Sequence, residues 1–124
     1  KTAITTLQML IRLAGLIQLG LGLAFWSGNA LNLIPIHMLV GSILVLALWV
    51  LAVLAGRMGV SRGLVALTLA WGLIVPVLGI MQMQLLPGDL NWIIEVIHLL
   101  VGLVAIGLSE RLATMSRRGH MSRP

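Results

Sequence analysis

The sequence predicts an all-α integral membrane protein, a four-helix up-down bundle built from a tandem two-helix repeat. Three observations carry that expectation. Of 124 residues, 60% are hydrophobic and only 9% are charged, against roughly 25% charged in a soluble domain. The apolar residues fall into four runs, each long enough for the about 20 helical residues that cross a bilayer. The links between runs are short and rich in turn residues, which makes neighbouring helices antiparallel. A length of 124 residues bounds the chain to one domain, 1–124.

The first span is expected over about 4–27, interrupted by Arg12 and Gln18. Its apolar stretch is too long for a cleaved signal peptide and has no small-residue cleavage site, so it is expected to be retained. The loop "SGNALN" leads to a second span over about 33–56, which ends just before Arg57. "RMGVSRG" makes the middle connection. The third span is expected over about 62–86, with Pro76 kinking it from inside and Pro87 ending it. After "PGDLN" the fourth runs over about 90–115 and leaves a polar tail, 117–124, that carries His120.

The charges orient these spans. Lys1, Arg12, Arg57, Arg62, Arg111, Arg117, Arg118 and Arg123 all fall at one membrane face, and the opposite loops hold Asp89 and no base. The positive-inside rule puts both termini and the middle link in the cytoplasm, with a bacterial inner membrane as the expected host. The net charge of +5 is then explained by topology and contact with anionic lipid, not nucleic acid. Arg12, about two turns from the cytoplasmic end, is expected to snorkel. Trp26 and Trp92 suit an outer aromatic belt, and Trp49 and Trp71 lie deeper, as packing. The chain has no Cys and no Tyr. That excludes disulfides, thiolate-held iron–sulfur clusters, thioether-attached haem and tyrosyl chemistry.

Two segments recur in order. "AGLIQLGLG" at 14–22 matches "WGLIVPVLG" at 71–79, and "IHMLVG" at 36–41 matches "IHLLVG" at 97–102. The halves are expected at about 1–60 and 61–119, as a parallel repeat and not the inverted kind behind many transporters.

The repeat duplicates a histidine inside an apolar run. At 1.5 Å per residue, His37 lies roughly 6 Å and His98 roughly 12 Å from the outer ends of their helices. The two helices are diagonal, so the imidazoles face each other across the bundle axis. Gly41 and Gly102 follow one turn later on the same face and leave room for a wide planar ring. Gly15 with Gly22, and Gly72 with Gly79, would flank the ring edges. Small residues also glue membrane helices together, and a lone histidine can bond a neighbouring helix. A duplicated pair at matched depth favours ligation. Neutral imidazole binds haem iron, copper, zinc or nickel. Zinc would want a third or fourth ligand, and Glu95 is the one acid near His98.

In these residues the chain resembles the membrane b-type cytochromes: histidines paired across a four-helix bundle, each in an H-x-x-x-G setting, with glycines on the partner helices. The resemblance implies one non-covalent haem b with His37 and His98 as axial ligands. It departs from many such cytochromes in carrying one histidine pair where they carry two. A single haem in the outer half does not span the bilayer, so exchange at the outer face or relay inside a larger complex is expected. Gln18 is placed to face the ring edge or to bond another helix. Glu95, one turn outward of His98, could bond an imidazole, meet a propionate or pass protons in quinone chemistry; the plain reading is a solvated acid. Met81 and Met83 read as apolar filling.

The function these features predict is electron transfer, with quinol or other subunits of a redox complex as partner, membrane lipid around it, and a homodimer as a further possibility. The alternative is a non-haem accessory or transport protein with structural or proton-linked histidines. Small multidrug transporters share the length and span number but depend on an acid in the first span, and none is present here. A pigment-binding subunit would need only one histidine per pigment.

Overall fold

A computed structural model of the chain describes residues 2–121; Lys1 and Arg123 of the basic face lie outside the described residues. Among those described, the chain is all-helical and has no strand. The helices are α1 (Thr2–Trp26), α2 (Ile34–Arg57), α3 (Arg62–Met81) and α4 (Asn91–Met121), with a short 3₁₀ turn, Leu31–Leu33, before α2. All four are long and apolar enough to cross a membrane.

Local chemistry sets most of the boundaries. Gly28 takes a φ of +79° at the end of α1, and Asn29 N–H donates to the Ala24 carbonyl at 2.8 Å. Gly59, with φ +92°, closes α2 in the same way, through Val60 N–H to the Ala55 carbonyl at 3.0 Å. Both are glycine-terminated helix ends, in which a left-handed residue lets the next amide reach back five residues. Pro35 stands in the first turn of α2, where no amide partner is lost. Ser61 caps α3 by accepting from Leu64 N–H.

Two expected boundaries are corrected. The third helix ends at Met81 and not near 86. Residues 82–86 turn instead, with Gln84 and Leu85 amides donating to the Met81 carbonyl and Leu86 at φ +48° just before Pro87. Proline disfavours helical backbone in the residue before it. The side chain of Asn91 then ties the turn down by donating to the Gln82 carbonyl at 2.6 Å. The expected polar tail from 117 is helical as far as Met121, because basic residues such as Arg117 and Arg118 need not end a helix that is already nucleated.

The helices pack as a ring in which α1 touches α2 and α4, and α3 touches the same two. Gly15 lies by Leu44 and Gly22 by His37, so α1 and α2 run in opposite directions. Trp49 donates to the Leu69 carbonyl at 3.0 Å, fastening α2 to α3, and Trp71 donates to the Val101 carbonyl at 2.9 Å, fastening α3 to α4. The diagonals differ. α2 and α4 touch, whereas no Cα atoms of α1 and α3 come within 8 Å of each other among the described residues. The cross-section is therefore flattened, long from α1 to α3 and short between the histidine helices.

The apolar core sits at the basic end. It comprises Ile4 and Ile11 of α1, Leu48, Leu51 and Ala55 of α2, and Ala105 and Leu112 of α4 with their neighbours. Of the buried apolar side chains among the described residues, only Ile94 belongs to the histidine end. The outer surface is the reverse of a soluble protein's: Leu16 is 69% exposed and Ile80 67% exposed. Exposed apolar surface on this scale marks contact with membrane or partner.

Candidate histidine-pair site

His37 lies in the first turn of α2 and His98 in the second turn of α4. Their ring centres are 6.5 Å apart with the planes tilted by 57°. Phe25, from the last turn of α1, sets its edge on His37 at 5.3 Å and 70°. The expectation that the imidazoles face each other across the bundle is met along its short diagonal.

The environment of the two rings is unusual in one respect. Among the described residues, three buried side-chain polar atoms lack a hydrogen-bond partner: His37 Nδ1, His98 Nδ1 and Gln18 Oε1. Buried polar groups without partners cost free energy and are rare in native structures. Elsewhere this molecule satisfies them. Thr68 donates to the Leu64 carbonyl at 2.9 Å, Ser109 to Ile106 at 2.6 Å and Ser116 to Leu112 at 2.8 Å. The unsatisfied atoms thus gather around one pair of imidazoles.

The glycines divide into two sets. A methyl group on Gly79 would stand 3.0 Å from Cε1 and 3.4 Å from Nε2 of His98, and one on Gly22 would stand 4.0 Å from Cε1 of His37. These two seat the imidazoles. Gly41 is covered by the Gln18 amide, whose Nε2 would lie 2.6 Å from an added methyl, so the expected room beside His37 is filled by Gln18. Gly102 does keep open space beside it. Gly15 and Gly72 do not meet the imidazoles at all: Gly15 receives Ile106 and Gly72 receives the Trp49 ring. Those two act in helix packing, because they lie two turns deeper than the histidines.

Glu95 is half-buried one turn before His98 and has no hydrogen bond or ion pair among the described residues. No group of three or more His, Asp or Glu side chains that could hold a metal occurs among them. Two imidazoles suit a metal whose other positions come with it. With metal–nitrogen bonds of about 2 Å, two opposed imidazoles have centres roughly 6 Å apart, close to the 6.5 Å between these rings, although the nitrogen-bearing edge of His98 lies against Gly79 of α3.

A second polar cluster was not anticipated. Arg12 meets a carboxylate. Its Nε donates to Glu110 Oε1 at 2.6 Å and its Nη2 to Oε2 at 2.8 Å, a two-point pair between α1 and α4. Gln8 Nε2 donates to the same carboxylate at 2.5 Å, and Arg117 donates to Gln8 Oε1 at 2.9 Å. Gln8 and Arg12 are four apart and share a helix face, a spacing that marks a polar stripe on α1 without naming its partner. Phe25 carries no comparable signal.

No protein-family model, curated protein or solved structure matches this chain. The likeness to b-type cytochromes is thus not borne out by any relative and stands on this chain's own residues.

Proposed function

We propose that this chain is a small integral membrane b-type cytochrome. In this reading it is an up-down bundle of two tandem halves with both termini cytoplasmic, and His37 and His98 hold one non-covalent haem b in the outer half of the bilayer. The observation that carries the reading is the gathering of buried, unpartnered polar atoms at one histidine pair whose ring centres are 6.5 Å apart. Haem, when bound, supplies a one-electron iron couple. The chain's own residues do the rest. The two imidazoles would hold the haem iron. Gly79 and Gly22 let the rings sit close to α3 and α1. Phe25 restricts the rotation of His37. The Trp71 bond to the Val101 carbonyl holds α4 one turn from His98. Ligating histidines normally donate their second ring nitrogen to an acceptor, and the Gln18 carbonyl is an acceptor with no other partner among the described residues. Electron exchange with quinol, or with other subunits of a redox complex, suits a site in the apolar phase near the outer face.

A second reading has one observation in its favour. The close seats of the imidazoles at Gly22 and Gly79 also suit histidines that only pack, in a non-haem accessory or transport protein.

Absorption spectra of the detergent-purified chain from haem-sufficient cells, oxidised and dithionite-reduced, separate the two. Sharp reduced α and β bands are expected, together with their loss or a changed spin state in both His37→Ala and His98→Ala while helix content is kept. A chain that stays colourless with added haemin, or two variants with parental spectra, would return the histidines to packing.

A further inference from the structure

The cytoplasmic ends of α2 and α3 enclose a groove of about 400 Å³. Its walls are apolar, with Val53 from α2 and Val65 and Leu69 from α3, and Arg57 and Arg62 stand at its mouth. Gly56 lets Val65 pack closely on α2 at the groove floor: an added methyl there would lie 3.3 Å from Val65. Neither guanidinium has an ion-pair or hydrogen-bond partner among the described residues. Arg57 is the last residue of α2 and Arg62 the first of α3, so the two charges sit at one level, where apolar helix gives way to polar link. Two unpaired cations above an apolar slot complement a molecule with an anionic head and a hydrocarbon tail. A groove of similar size on α4 differs in one respect: Glu110 lines it beside Arg111 and Arg118, so a carboxylate there offsets the bases.

We propose that the α2–α3 groove binds one anionic phospholipid, with the phosphate between Arg57 and Arg62 and the start of an acyl chain against Val53, Val65 and Leu69. This assignment does not depend on what the histidines hold. A basic residue near a membrane surface contributes about fivefold to binding an anionic lipid, so two contribute about thirtyfold.

The test is native mass spectrometry of the full chain in mild detergent, with phosphatidylglycerol and phosphatidylethanolamine of matched chains as the probes. One phosphatidylglycerol is expected to be retained in preference to phosphatidylethanolamine. Retention should fall about fivefold in R57Q or R62Q and about thirtyfold in the double variant, and stay unchanged in R111Q/R118Q. A66W, which fills the groove and keeps both charges, should also weaken it. Equal retention of the two lipids overturns the proposal, as does parental retention in R57Q/R62Q or in A66W. Displacement by millimolar inorganic phosphate would mark a plain anion site and also overturn it. If the double variant does not fold, the single variants and A66W still decide the question.

Discussion

Gly22 and Gly79 hold matching places in the similar segments 14–22 and 71–79, yet they bear differently on their histidines. In a helix, alanine is favoured over glycine by about 1 kcal/mol. At Gly22 the added methyl has ordinary contact at 4.0 Å, so Gly22→Ala should be neutral or slightly stabilising. At Gly79 it would press on the His98 ring at 3.0 Å, and overpacking of that kind costs about 1–3 kcal/mol. The clash outweighs the propensity gain. Gly79→Ala is expected to weaken haem retention and alter the reduced spectrum, with Gly22→Ala close to the parent in both. Matching behaviour of the two variants would mean that the glycine seats do not govern the ligands. At this scale the histidines were legible in the sequence, because two identical polar interruptions in apolar runs stand out. Gln18 was legible as a polar residue at the right depth. Its seat on Gly41 was not, because no pattern of spacing reports which way a flexible amide folds.

Between helices the polar contacts act as fasteners. Trp71 reaches from α3 to a backbone carbonyl of α4. Trp71→Phe keeps most of the ring and loses that bond, at a cost of about 1 kcal/mol, seen as a lower midpoint in thermal or detergent unfolding. Glu110 is the shared acceptor for Arg12 and Gln8. Glu110→Gln should lower stability more than Arg12→Gln does, because it loosens two partners and not one. The double variant should be no worse than Glu110→Gln alone. Additive losses would show that the two residues do not act as a pair. Helix number and order could be read from the four apolar runs and their turn residues, since bilayer length and glycine stops are strong local rules. The end of α3 could not. Residues 82–86 continue the apolar pattern in part, and the turn there depends on Leu86 before Pro87 and on an Asn91 side chain from the next helix. The Arg12–Glu110 pair was hidden for a related reason: its partners are 98 residues apart.

At the scale of the whole molecule, the orientation can be tested directly because the chain has no cysteine. A membrane-impermeant maleimide applied to intact cells should label Asp89→Cys, in the loop before α4. It should reach Gly63→Cys, at the start of α3, only after the inner membrane is opened. The reverse pattern would invert the topology and move the histidines to the inner leaflet. The uneven core has a further consequence. Ile4, Ile11, Leu48, Leu51 and Leu112 pin α1, α2 and α4 together at the basic end, with Leu64 and Val65 of α3 packed against them, while the histidine end has almost no buried apolar packing of its own among the described residues. Such an object behaves like a clothes peg, with its grip and its jaws at opposite ends. In the orientation proposed above, the jaws face the outer leaflet, so a guest of the histidines would be loaded and released on that side.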